Sequence, residues 1–437
     1  MTRHVWVLVH RYAGLYMAFF LTVAGLTGMM LAFYHELDDW LNPPQNAVPV
    51  RQNQAMLEPF ALHQRVLALE PKATVDSVKL NPEPGEIYIA FLTPRIDPAR
   101  GEAYPLKEKS VWLDPYTGDR LQAIERPEGF WPLTRQNLLP FIYALHYSLA
   151  LNEVGVWLFG IAGLIWTVDC FVAFYLTLPN SSRKVGCAEQ SEAHRSRLMR
   201  LVPRHILRFD RTLENGSRQR GFWSRWAVAW KIKWPASALR LNFDLHRAGG
   251  IWTWPMLFVF AWSAVFFNLP GVYYPVMNGL FAMPDLREYP HVPELAKQRP
   301  EPAIAWHQAY PIGRRLMAEQ ARREGFQITG EDSLTYDPKK GVYLYVVNSD
   351  RDLEPGHTCL WFDAQSGEFR ELYLPSGQNV GTTVTNWLFS LHMARIWGLP
   401  FKIFVCGMGL VVAMLSVTGV YIWLKKRRAA SLNRGKA

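Results

Sequence analysis

The sequence predicts a membrane α-helical fold: four transmembrane helices in two duplicated halves, each half carrying an α+β domain between its helices. Three observations predict it. Four apolar blocks approach or exceed the roughly 20 residues that a helix needs to cross a hydrocarbon core of about 30 Å. The polar segments between them alternate in charge. The same short motifs occur twice, in the same order.

The apolar blocks are 12–33, 154–178, 251–269 and 403–424. Asp169 interrupts the second, and no Asp, Glu, Lys or Arg interrupts the other three. The expected organisation is helix one in 1–35, a first outer domain in 36–140, and an outer segment with helix two in 141–179. A basic loop follows in 180–240, then helix three in 241–270. A second outer domain fills 271–385, an outer segment with helix four fills 386–425, and the tail is 426–437. The opening apolar run is too long for a signal peptide and no small-x-small cleavage site follows it, so it reads as a retained helix.

The net charge is +10 over 437 residues. Its placement fits a membrane rather than nucleic acid. Segment 180–240 holds 14 Lys/Arg against 4 Asp/Glu, and Lys425, Lys426, Arg427 and Arg428 follow the last block. Between residues 36 and 140 the balance reverses, with 11 basic and 15 acidic residues. By the positive-inside rule both termini and the 180–240 loop are cytoplasmic, and the segments near 36–140 and 270–390 face the periplasm or cell exterior. The cysteines, Cys170, Cys187, Cys359 and Cys406, suggest no disulfide pairing, and no C-x-x-C-H haem attachment motif is present.

The repeat pairs His10-Arg11 with His246-Arg247, the turn 114–118 (DPYTG) with 363–367 (DAQSG), and Leu145-His146 with Leu391-His392. From the turn Asp to the following His there are 32 residues in one half and 29 in the other (114 to 146, 363 to 392). Each outer segment reads as a helix followed by short strands. The first has a helix at 57–69 and strands at 75–80, 86–92 and 110–113. The second has a helix at 312–324 and strands at 333–336, 342–347 and 358–362. The turn residues read as structural.

Among twelve histidines, His10 and His246 fall at the cytoplasmic ends of helices one and three, and His146 and His392 just before helices two and four. Ionisable residues at membrane depth are functional candidates by default. Two pairs, one per membrane face, suit two b-type haems, since haem iron takes two axial ligands and neutral imidazole serves. The repeat would pair His10 with His246 and His146 with His392. Arg11 and Arg247 are candidates for the propionates, or snorkelling cations. Gly14, Gly25, Gly28, Gly160, Gly163, Gly249, Gly250, Gly407 and Gly409 would let helices and a flat macrocycle approach. His35, at the far end of helix one, is a second-choice ligand in place of His146 or His392. No G-x-S-x-G, H-E-x-x-H, Walker loop or G-x-G-x-x-G is present, so an electron donor must come from elsewhere.

These residues resemble the PepSY-associated transmembrane family. The likeness rests on the His-Arg-x-x-Gly openings at His10 and His246, the 34–38 exit of helix one (YHELD), the turn at Asp114, the Leu-His pairs, and the 418–423 ending (TGVYIW). It covers nearly the whole chain. It implies PepSY-like periplasmic domains and an inner-membrane ferric-siderophore reductase with two haems. Such a protein passes electrons from a cytoplasmic reductase or quinol to the ferric siderophore and releases Fe²⁺ for iron uptake. Membrane lipid is the other expected partner, and nucleic acid is not one. Two rivals are a non-enzymatic envelope protein that binds peptides or regulates a protease, and a siderophore transporter. For a transporter Asp169 is the one midplane candidate; otherwise it reads as a hydrogen-bonded Asp near the inner end of helix two. The 180–240 loop, with Trp223, Trp226, Trp230 and Trp234, departs from the family pattern and looks like an amphipathic interfacial segment.

Overall fold

A computed structural model describes residues 2–42, 48–97, 100–122, 131, 133–179, 221–281, 283–284 and 286–434. Cys187 and most of the 180–240 loop lie outside the described residues. The helices are α1 (Arg3–Leu31), α2 (Tyr34–Leu41), α3 (Pro59–Leu69), α4 (Leu138–Ser148), α5 (Asn152–Thr177), α6 (Phe222–Trp226), α7 (Ala238–Trp252), α8 (Trp254–Asn268), α9 (Pro270–Phe281), α10 (Trp306–Glu324), α11 (Val380–His392) and α12 (Gly398–Arg434). The strands are β1 (Ala73–Thr74), β2 (Ser77–Lys79), β3 (Tyr88–Phe91), β4 (Thr93–Pro94), β5 (Ser110–Leu113), β6 (Arg120–Leu121), β7 (Ile328–Asp337), β8 (Val342–Ser349), β9 (Thr358–Asp363) and β10 (Phe369–Tyr373).

Helices α1, α5 and α12 are each long and apolar enough to cross a membrane. A helix does so because it satisfies its own backbone where no water is present. Where one helix is expected in 241–270 there are two: α7 and α8 pass the same test only together, and the pair bends by 73°. Pro255 stands in the first turn of α8, where a residue without an N–H is tolerated. At the break Thr253 turns both its N–H and its hydroxyl onto the Gly249 carbonyl, at 3.2 and 2.7 Å.

The chain forms two compact units. The first comprises Met1–Thr22, Leu164–Phe258 and Val411–Ala437. Here Arg3 donates to the carbonyls of Leu176 and Leu178 at the open end of α5, at 2.6 and 2.9 Å, which satisfies acceptors that a helix terminus leaves unpaired. Trp254 Nε1 donates to the Cys170 carbonyl at 2.8 Å, tying the start of α8 to α5.

The second unit, Val23–Gly163 and Val259–Leu410, holds all the strands. The sequence reading treats the two outer segments as separate domains, but they share a sheet. Its order is β10-β9-β8-β7-β2, antiparallel throughout, with β2 of the first segment on the edge strand of the second, Val78 opposite Leu334. Helix α10 lies on this sheet over Leu334, Tyr343, Tyr345, Leu360 and Phe362. It starts at Trp306, six residues before the expected start, and continues through Pro311. Helix α3 covers a second sheet, β3-β5-β6, through Leu62 and Val66 against Tyr88, Ala90, Val111 and Leu113.

The repeated turns have one geometry. Asp114 Oδ1 accepts from the N–H groups of Tyr116 and Thr117, and the Gly118 N–H closes on the Asp114 carbonyl. Asp363 does the same with Gln365, Ser366 and Gly367. Both glycines sit at positive φ, 71° and 75°, so Asp at the start and Gly at the end are what the turn requires.

Candidate functional site

The structure brings together the histidines that the repeat pairs. In the first unit His10 on α1 faces His246 on α7, ring centroids 6.1 Å apart and planes at 55°. In the second unit His146 on α4 faces His392 on α11, again 6.1 Å apart, planes at 71°.

The other ring nitrogen of each histidine is engaged. His10 Nδ1 lies 3.0 Å from both oxygens of Asp169. His246 Nδ1 lies 3.0 Å from the Leu415 carbonyl and 3.1 Å from Thr418 Oγ1. His146 Nδ1 lies 3.0 Å from Thr27 Oγ1, and His392 Nδ1 lies 2.6 Å from Ser263 Oγ. A carboxylate and a carbonyl only accept. Each hydroxyl has committed its proton to a carbonyl one turn back, Thr27 to Val23 at 2.7 Å, Ser263 to Val259 at 2.6 Å and Thr418 to Met414 at 2.7 Å. In every case Nδ1 therefore carries the proton and donates it, and Nε2 keeps a lone pair. Metal-binding histidines are fixed in this way, by an acceptor behind the ring.

Glycines shape the space around the rings. A Cβ on Gly28 would stand 2.9 Å from His146 Cε1, and one on Gly419 would stand 3.2 Å from His246 Cε1. Gly14 and Gly250 follow His10 and His246 by one helical turn, on the same face, and a Cβ on either would meet no heavy atom within 4 Å. Among the described residues no three His, Cys, Asp or Glu are grouped to hold a metal ion. Two facing imidazoles suffice where a macrocycle supplies the equatorial ligands, and the residues present fit haem.

The profile of the PepSY-associated TM region matches residues 7–426. The chain belongs to the PepSY-associated transmembrane family. All four paired histidines fall inside the match. No curated protein matches the chain.

His35 is exposed on α2, its ring edge-on to Tyr34 at 5.7 Å, and His392 rather than His35 stands opposite His146. Arg11 is exposed. Arg247 donates through Nη2 to Asp244 Oδ1 at 2.8 Å and to the carbonyls of Val228 and Lys231, while its buried Nε has no hydrogen-bond partner. At the end of α11, Glu354 is 9% exposed and accepts from Ser390 at 3.1 Å and Arg395 at 2.9 Å, bracketing His392. Burial pushes the Glu354 carboxyl up, but His357 and Arg395 outweigh it and hold it at about 2.

Thr27, Ser263 and Thr418 are not singled out by motif or composition. A signal for two of them exists: Thr27 follows His10 by seventeen residues (10 to 27), and Ser263 follows His246 by the same seventeen (246 to 263). The acceptors behind the other pair are also in register, Asp169 after His146 and Leu415 after His392 by twenty-three (146 to 169, 392 to 415).

Proposed function

We propose that this protein is a di-haem reductase of the bacterial inner membrane. It holds one b-type haem on His10 and His246 and a second on His146 and His392. It delivers electrons from a cytoplasmic reductase or quinol to a ferric siderophore in the periplasm, where Fe³⁺ takes up one electron and is released as weakly held Fe²⁺. In this reading α7 and α8 form one bent span, giving four spans in two duplicated halves, with both termini cytoplasmic and the α+β segments outside.

One observation carries the reading: two histidine pairs, each at 6.1 Å, each ring fixed with Nδ1–H donated backward and Nε2 left to bind. Bound haem supplies a one-electron carrier, which the side chains of this protein cannot supply themselves. The chain's own part is to hold two imidazoles opposed, to fix their tautomer through Asp169, Leu415, Thr27 and Ser263, and to keep water out with apolar helices. The matched register of histidine and acceptor supports duplication, because each half then furnishes half of each site.

Purified protein, oxidised and then reduced with dithionite, should give the sharp visible bands of low-spin haem, and the pyridine haemochrome assay should give about two non-covalent haems per chain. A folded, colourless protein would end the reading and favour a non-enzymatic envelope role.

A further inference from the structure

Three of the four paired histidines are backed by neutral acceptors, a peptide carbonyl or a hydroxyl. The fourth is not. His10 Nδ1 is equidistant, at 3.0 Å, from both oxygens of Asp169, whose side chain is 8% exposed. Asp169 is also the only Asp, Glu, Lys or Arg in the four apolar blocks. At the matching place in the other half stands Leu415, which offers His246 only its backbone carbonyl. The two halves therefore differ at one charge, in surroundings where charge acts strongly.

We propose that Asp169 is a positioning residue that separates the reduction potentials of the two sites, holding the His10–His246 site below the His146–His392 site. This rests on the di-haem reading above. A carboxylate behind the ring pulls on the Nδ1 proton and makes Nε2 a stronger donor. A stronger donor and a nearby negative charge both favour Fe³⁺ over Fe²⁺. Hydrogen bonding and burial around the ligands are the means by which a protein sets such potentials. Neutral acceptors behind His146 and His392 give no comparable pull. The order makes one-electron transfer from the His10–His246 site, which is oxidised, to the His146–His392 site, which is reduced, run downhill. The direction is thus written into one substitution between the halves.

The test is spectroelectrochemical titration of the full-length protein in detergent, read from haem absorbance. Wild type should resolve two separate one-electron midpoints, and a single unsplit wave would overturn the proposal without any variant. Asp169→Asn keeps an acceptor of the same size and removes the charge. It should raise the lower midpoint and leave the upper one in place, with both haems retained. Asp169→Glu should keep the lower midpoint low. Both haems present with the lower midpoint unmoved in Asp169→Asn would refute the inference while leaving the di-haem reading intact. Absence of haem from wild type would refute that reading itself.

Discussion

A buried hydroxyl accepts from an imidazole N–H only while its own proton is committed elsewhere, and Thr27 and Ser263 show both halves of that arrangement. Removing the acceptor leaves a buried N–H unpaired, at a cost of about 1–3 kcal/mol, and frees the ring to rotate or change tautomer. Ser263→Ala changes no volume that α8 needs, so the fold should persist while the His146–His392 site weakens. Haem titration into apo-protein should show one site loosened by about 10–100-fold, the usual effect of losing a ligand's supporting partner, with the other site unchanged. Wild-type affinity at the His146–His392 site in this variant would mean that Ser263 does not hold His392. The histidines themselves were legible in the sequence because two copies of one motif fix their pairing. Their acceptors were not, because Ser and Thr in an apolar helix ordinarily back-bond to their own helix and only the matched spacing from 10 to 27 and from 246 to 263 marks these two.

At the scale of elements, both histidines of the His146–His392 pair stand beside a corner. Helix α4 turns into α5 through Leu149, Ala150 and Asn152, and α11 turns into α12 through Ala394, Trp397 and Gly398, all at positive φ. The first corner closes so tightly that a Cβ on Gly155 would fall 1.6 Å from the Ser148 carbonyl oxygen. Gly155→Ala must therefore open the corner that carries His146. We expect the variant to lose the haem bound by His146 and His392 and to keep the other, measured by pyridine haemochrome as about one haem per chain; a full complement would show that the corner does not set the ring. Sequence periodicity located α1, α5 and α12, since a long apolar run has few alternatives in lipid. It gave the third span as one helix because its composition is as apolar as the others, and apolar length does not report a bend. Short strands are harder still: β2 pairs with β7, 258 residues away at Ser77 and Thr335, and nothing local in three residues specifies a distant partner.

For the molecule as a whole, that shared sheet makes the two α+β segments one folding body, and its seam holds a titratable group. His63 on α3 is 1% exposed and packs its ring 4.8 Å from Trp306 of α10. Burial holds its pKa below the ordinary 6.5. The unfolded chain therefore binds this proton more readily than the folded one, so stability falls as pH drops below 6.5. Glu354, held at about 2 against an ordinary 4.5, adds a loss only below 4.5. Thermal unfolding of the intact protein should show a lower midpoint at about pH 5 than at about pH 7.5, and His63→Gln should narrow that gap; an unchanged gap would place the pH response elsewhere.

The two histidine pairs should fail differently if one receives electrons and the other delivers them. His10→Ala or His246→Ala should remove one haem and leave the protein able, once chemically reduced, to pass electrons to a ferric chelate. The same variant in membranes supplied only with the natural donor should not do so, because the receiving site is gone. In the proposed order His146→Ala or His392→Ala should abolish chelate reduction under both conditions, because the proposed delivering site is gone. The facing rings of His146 and His392 make a further demand on the same experiment. His35→Ala should retain both haems, since His35 lies exposed and apart from the pair. Loss of a haem in His35→Ala with both kept in His392→Ala would overturn the His146–His392 pairing and leave the His10–His246 pair standing. Wild-type activity with the natural donor in the His10, His246, His146 and His392 variants would remove the electron path altogether.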